Sequence, residues 1–386
     1  MLKNHYDYIF AGAGLSGLMT VYKMIQSAKF DDKKILLLDL NPKKINDRTW
    51  CFWDKPDHSW ESIVSKKWNN AFFADENFIK LLNFKPYQYN MINGLDFYNL
   101  VFEAISNAEN CTFLNQSVQK IEENHDLVIV QTLSETFTCS KIFNAIYDKD
   151  SVENQKQFPV LQQHFIGWFI ESEEPVFDEN TATFMDFSLE QNGNTRFMYV
   201  LPTSKTCALL EPTLFSHNHL KKEEYELEIK KYAEKIGIKN YKIIDKERGS
   251  IPMTCYPFWE KNTSKILNIG TAGGWTKAST GFTFYNSNKK ANELIAFLEV
   301  ESDFRRFFKK TRFWYYDLIF LEVLDQQNEL GSAIFSSLFK KGNPQLVLKF
   351  LNEETNIFEE LQVMLKCPKI PFIKAVFRLI FKSLKF

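Results

Sequence analysis

Two unbroken apolar runs, Tyr8-Ile9-Phe10-Ala11 and Ile35–Leu38, frame the first forty residues, and between them the rhythm changes. There Leu15, Leu18, Met19, Tyr22 and Ile25 recur at helical spacing and share one face. Strand, helix, strand is therefore the predicted order, a βαβ unit. Residues 117–146 turn short and β-like, with runs at 118–121, 127–130 and 137–142 and a polar turn at 122–126, which predicts a meander returning to the main sheet. Residues 155–247 read as a second, strand-rich unit with strands at 165–170, 197–201 and 207–210. One helix at 223–236 points Tyr225, Ile229, Tyr232 and Ile236 inward. A late strand at 266–269 and a helix at 287–297 predict a return to the first unit. The expected organisation is a nucleotide-binding unit over 1–154, a substrate unit over 155–247, a return over 248–300, and a helical, basic C-terminal region over 301–386.

Glycines punctuate this pattern where a ligand would need them. Gly12-Ala13-Gly14-Leu15-Ser16-Gly17 follows the first strand directly, and Asp39 closes the second. Gly12 permits a tight turn, Gly14 a close approach to a pyrophosphate, and Gly17 close packing of helix on sheet, while Asp39 is placed to accept a ribose hydroxyl. The late strand runs into Gly270-Thr271-Ala272-Gly273, with Gly281 beyond it, a second turn that brings backbone N–H groups near a cofactor.

Composition narrows the function classes. The chain has 386 residues, enough for about two domains, and a net charge of −1, which argues against nucleic acid as a partner. Aromatic residues make up 16%, with 37 Phe, enough rings to fill a core and line a large apolar cavity. The six cysteines include no CxxC pair and the histidines no metal-ligand spacing, so reduced thiols in a cytoplasmic protein are expected and no metal site is. The chain enters its first strand directly, which predicts no cleavable leader, and no apolar run approaches the length of a membrane span.

Several passages resemble the flavin-dependent lycopene β-cyclase family of bacteria. They are the GAGLSG motif, Asn46-Asp47-Arg48-Thr49-Trp50-Cys51-Phe52-Trp53, the stretch from Leu201-Pro202 to Glu211-Pro212-Thr213, the passage Glu247-Arg248-Gly249-Ser250-Ile251-Pro252-Met253, and Gly270-Thr271-Ala272 leading to Ser279-Thr280-Gly281. The resemblance implies an α/β fold: a Rossmann-like FAD-binding domain of the aromatic-hydroxylase and geranylgeranyl-reductase type, a strand-rich substrate domain and a helical C-terminal region. It implies an isomerisation of lycopene to γ- and then β-carotene, with FAD in its reduced form, NAD(P)H as reductant and no net redox change. Thr271 stands where aromatic hydroxylases carry an acid, and Asn144-Ala145-Ile146-Tyr147 replaces their second Asp-Gly motif.

Such a cyclisation needs a carboxylic acid kept protonated in an apolar pocket, negative or π-electron density beside a carbocation, and exclusion of water. The resemblance makes Glu211, at the end of the apolar strand 207–210, the candidate acid; a solvent-facing strand end is the plainer alternative. Arg48 is a candidate cofactor contact, or else a surface ion pair. Asp186 is a candidate pocket hydrogen-bonding group, or else a surface turn. Trp50, Phe52, Trp53, Phe197 and Tyr199 are candidate rings around the substrate, each with core packing as its alternative.

At the C-terminus, Lys374, Arg378, Lys382 and Lys385 share one helical face, and Phe372, Ile373, Val376, Phe377, Ile380, Phe381 and Leu384 cover the rest. That is the profile of a helix lying in an anionic membrane interface, which would place the protein on the inner face of the cell membrane. Docking on the protein core is the alternative, and the aromatic, basic segment 304–320 is a candidate for the same surface. Two other functions stay open: a flavin-dependent reductase or monooxygenase of a polyprenyl substrate, which changes the product mass, and a non-catalytic prenyl carrier.

Overall fold

The computed structural model describes residues 4–383. The strand His5–Ala11 lies inside a seven-stranded sheet, flanked in parallel by Ile35–Leu38 and Thr136–Asn144. Cys111–Leu114 extends the sheet in parallel beyond Ile35–Leu38, and Ile266–Asn268 joins Thr136–Asn144 in parallel. Parallel strands need cover on both faces. Successive side chains point to opposite sides, so Phe10, Leu37 and Phe143 meet the helices Leu15–Ser27, Gly94–Asn107 and Phe284–Leu298. Ile9, Ala11, Leu36 and Leu38 instead meet the expected meander, Val118–Glu123, Val128–Thr132 and Thr136–Asn144.

A second seven-stranded sheet carries, in spatial order, Tyr241–Thr254, Val160–Ser172, Cys207–Ser216, Thr195–Pro202, Thr181–Asp186, Asn70–Asp75 and Phe78–Asn83. Its last two strands come from within the span 1–154, Asn70–Asp75 pairing with Thr181–Asp186 and Phe78–Asn83 with Asn70–Asp75, and Tyr241–Thr254 runs past residue 247. The sheet of the second unit thus draws on three separate parts of the chain. One face packs on the helix Lys222–Lys235 through Trp168, Met198, Leu210, Ile229 and Tyr232. The other face packs on Arg312–Gln326 and Leu330–Lys341 through Phe197, Phe215, Leu321 and Phe335.

Within the passage 46–53 the chain enters the strand Thr49–Asp54, paired with Gln88–Asn93 in a small sheet with Lys66–Trp68. Trp50 and Phe52 enter the core of the nucleotide unit, while Cys51 and Trp53 enter that of the second unit. Both faces of this strand are apolar, so it lacks the alternation that marks a half-buried strand.

The C-terminal region is helical, and its last helix, Lys369–Ser383, overturns the expected orientation. Arg378 Nε and Lys382 Nζ lie 3.0 and 2.8 Å from the carboxylate of Glu322, which has no solvent exposure. A buried carboxylate needs such partners, and it turns much of the basic face inward. Ile370, Ile373, Phe377 and Phe381 are exposed instead, as are Phe358, Leu361 and Leu365 of the preceding helix Ile357–Met364 and its end. Lys374 remains exposed; Leu384 and Lys385 lie outside the described residues. In the segment 304–320, the rings of Phe304 and Phe313 are buried and Tyr315 is half exposed. No helix among the described residues is long and apolar enough to cross a membrane.

Candidate active site

A single cleft of about 740 Å³ runs from the glycine loops of the first unit to the floor of the second sheet. Its upper wall is Gly14, Leu15, Ser16, Gly270 and Thr271; its floor holds Tyr199, Leu201, Leu209, Glu211 and Glu247. Arg48, Trp50 and Cys51 on one side and Gly281 to Phe284 on the other connect the two ends.

The glycines of the first loop form the upper end. Gly12 has φ +100°, a conformation that favours glycine, and a Cβ on Gly17 would sit 2.7 Å from the Gly12 carbonyl oxygen. Nothing lies within 4 Å of where a Gly14 Cβ would be, so the backbone there is open to a ligand. The helix Leu15–Ser27 begins at this point with no acid in its first turn, leaving its first N–H groups available to an anion. The late loop is tied to that helix: Gly270, at φ +61°, would bring a Cβ to 3.1 Å from Ser16 Oγ, which is hydrogen-bonded to Ser287 Oγ at 2.8 Å.

Gly281, at φ +71°, leaves space that a Cβ would fill, 1.9 Å from Gln163 Oε1. Gln163 is nine-tenths buried, lines the cleft, and its Oε1 has no partner among the described residues. Open backbone at a helix start, glycine-lined walls and an orphan amide oxygen all fit a bound dinucleotide. Gly12, Ala13, Gly17, Ala272 and Gly273 shape this end from behind the wall. Asp39 also stands back, one carboxylate oxygen accepting the Ala13 N–H and the other the Asn41 N–H, each at 2.7 Å. Arg48 lines the cleft and pairs with Asp47 at 3.0 Å.

The floor is set by one glycine. Glu211 is not at a strand end: Cys207–Ser216 continues through Pro212, which pairs with Met198. Gly167 of the neighbouring strand lies opposite Glu247, and a Cβ on it would be 3.2 Å from both Glu211 Oε2 and Glu247 Cγ. The missing side chain makes room for two carboxyls on one face. Thr213 Oγ1 donates to Glu211 Oε1 at 3.0 Å, and Tyr199 stands opposite Glu211 in the next strand.

Burial first, and the adjacent Glu247 second, hold Glu211 well above the usual carboxylate range. Burial pushes Glu247 up to about 7, against the opposing pull of Thr49. Neither carboxyl forms a salt bridge among the described residues, whose ion pairs all lie elsewhere. Sequence reasoning set Glu247 within the passage ending in Ile251-Pro252-Met253 but did not select it. Its signal lies in the cross-strand register with Gly167, eighty residues away, which no local pattern encodes.

The aromatic candidates divide. Trp50 and Tyr199 line the cleft. Phe52, stacked on Phe284 at 4.6 Å, and Trp53, whose Nε1 donates to the Leu348 carbonyl at 3.2 Å, are core residues. Phe197 is fully buried between Phe187 and Tyr199. Asp186 also lies away from the cleft, accepting from Tyr232 Oη at 2.7 Å and the Ser188 N–H at 2.8 Å on the helix-covered side. An irregularity between Thr183 and Asp186 turns it there.

The lycopene cyclase protein family model matches residues 7–377. The chain belongs to the lycopene cyclase family. It is 24% identical over 287 residues to the lycopene beta-cyclase of Paracoccus sp. strain N81106, covering 72% of this chain and 70% of that protein. Among solved structures it resembles a geranylgeranyl bacteriochlorophyll reductase-like protein from Thermoplasma acidophilum, with a TM-score of 0.60, 12% identity and 97% and 99% of the two chains covered. A halogenase PltM mutant solved in complex with FAD gives a TM-score of 0.58 at 12% identity, covering 96% and 87%. These structural likenesses establish the fold shared by this cyclase-family chain, an α/β fold with a helical C-terminal region.

Proposed function

We propose that this member of the family closes the linear ends of lycopene into β-rings, an isomerisation with no net redox change in which Glu211 is the proton donor. The observation that carries the reading is a nearly buried carboxyl, without a cationic partner, on the floor of the same cleft whose other end is built for a dinucleotide. Burial keeps its proton in place near neutral pH, and an acid so held protonates an alkene that water would not. Thr213 fixes one carboxyl oxygen, and the other lies beside Gly167 and Glu247. Leu201, Leu209 and Phe282 exclude water that would trap a cation, and the rings of Trp50 and Tyr199 face it with π-electron density.

FAD would be held by the N–H groups of Gly14 to Ser16, by Gly270 and Thr271, by Gly281 and by Arg48. In its reduced form, with NAD(P)H as the source of electrons, it supplies negative charge beside the cation.

A C40 hydrocarbon has to be drawn from lipid. The exposed side chains of Ile370, Ile373, Phe377 and Phe381, together with Phe358, Leu361 and Leu365 of the preceding helix and its end, support docking on an anionic membrane, as do exposed Lys366, Lys369 and Lys374. The membrane contact is therefore apolar first and basic second.

Expression of the chain in lycopene-accumulating cells tests the reading. The pigment is expected to become γ- and β-carotene, equal in mass to lycopene. Unchanged lycopene beside soluble, flavin-loaded protein, or a product heavier by hydrogen or oxygen, contradicts it.

A further inference from the structure

We propose that Glu211 and Glu247 act as one acid–base pair holding a single proton, with Glu211 delivering it to the terminal alkene and Glu247 receiving the proton that the new ring gives up. This rests on the reading above that Glu211 is the acid. The geometry is specific to the pair. Glu247, Gly167, Glu211 and Tyr199 fall side by side across four neighbouring strands, and only the absence of a side chain at Gly167 lets the two carboxyls share that face.

The surroundings prevent either acid from being neutralised by a cation. The groups facing the pair are Thr49 and Cys51 from the bridging strand, Tyr89 from its neighbour and Tyr199 from the second sheet, with Asp245 on the strand of Glu247 itself. Arg48 and Arg248 also line the cleft; Arg48 pairs with Asp47, and among the described residues neither forms an ion pair with Glu211 or Glu247. Two carboxyls this close in an apolar site do not both ionise, so one proton stays between them.

The step balances within the pair. The Glu211 O–H bond breaks and its proton forms a C–H bond at the terminal alkene carbon. The electron pair of an internal alkene then forms the ring C–C bond. A ring C–H bond breaks, its electrons become the ring alkene, and its proton goes to Glu247. Transfer across the shared hydrogen bond restores protonated Glu211. No proton or electron is gained or lost, which leaves the pair ready for another turnover.

The test is the pH–rate profile of purified, flavin-loaded protein acting on lycopene in vesicles. Glu247→Gln is expected to keep its flavin and melting temperature while losing about 100-fold in rate. Its alkaline limb should also move to lower pH, because the charge that helps hold the Glu211 proton is gone. A rate within about threefold of the wild type, or an unmoved limb, overturns the pair while leaving the cyclase reading intact. Absence of cyclisation by the wild type instead overturns the reading on which the pair rests. If the variant does not fold, infrared titration of the wild-type protein decides. Loss of one carboxyl proton near pH 7 and of the second only at the alkaline limb supports the pair, and loss of both over one and the same pH range overturns it.

Discussion

Glu211 and Glu322 are both buried carboxylates, yet their surroundings are opposite. Glu322 holds Arg378 and Lys382, and Lys277, from the loop after the late strand, sits between Asp317 at 2.9 Å and Glu353 at 2.7 Å of the same helical region. Glu360 likewise receives Arg312 and the Tyr316 hydroxyl, and these hydrogen bonds hold it below its ordinary range. On the cleft floor, the charged group beside Glu211 is another acid. The helical region matches its buried charges with opposite ones, which ties its helices to one another and, through Lys277, to the loop after the late strand. The two acids of the cleft floor form no ion pair among the described residues, which sacrifices stability and keeps a proton available.

Removing a partner from the matched set should have the largest effect on stability. Lys277→Met leaves Asp317 buried without its cation and is expected to cost about 3–5 kcal/mol in a denaturant titration. A loss below about 1 kcal/mol would mean that the cluster is not a structural tie. Crowding the unmatched set should act on rate instead. Gly167→Ala places a Cβ 2.7 Å from Leu209 Cδ1 and 3.2 Å from Glu211 Oε2, and is expected to lower turnover about tenfold with flavin retained. An unchanged rate would show that the two acids do not depend on that gap.

The sign of the pH effect separates the two sets further. Unfolded, Glu211 loses its proton near the ordinary glutamate value of 4.5, whereas burial and Glu247 keep it bound in the folded protein. The folded state therefore binds more protons above that value, and the wild type loses stability as pH rises toward the raised folded value. Glu211→Gln has no such loss, so its melting temperature should exceed that of the wild type at pH 8, with the gap closing toward pH 4. A gap independent of pH would contradict the assignment of a buried, protonated acid. The smallest effect compares two cations on one helix. Lys374→Glu should weaken binding to anionic vesicles by about 1 kcal/mol without changing stability. Arg378→Met should lower stability by about 1 kcal/mol with little change in vesicle binding. The reverse pattern would return the basic face to the membrane.

The nucleotide unit was legible because its signals are local: an apolar run, glycines that can be named by position, and a helix with one apolar face. Glu211 was legible through resemblance, and its burial follows from a strand that continues through Pro212. The strands at 70–83 were not assigned to the second sheet, because pairing Asn70 with Thr181 is a relation across more than a hundred residues. The same applies to Glu247 beside Glu211. On the last helix, spacing identified which residues share a face, but the orientation depended on Glu322, 56 residues before Arg378. Asp186 was misplaced by a single irregularity in its strand, a feature that alternation does not reveal.

The central claim is that a carboxyl kept neutral by burial starts the cyclisation. Its most direct test is Glu211→Gln, purified with its flavin and supplied with lycopene in vesicles under reducing conditions. A folded, flavin-loaded variant that leaves lycopene unchanged, at a rate lower by about 100-fold or more, is the predicted result. Formation of β-rings at close to the wild-type rate would contradict it.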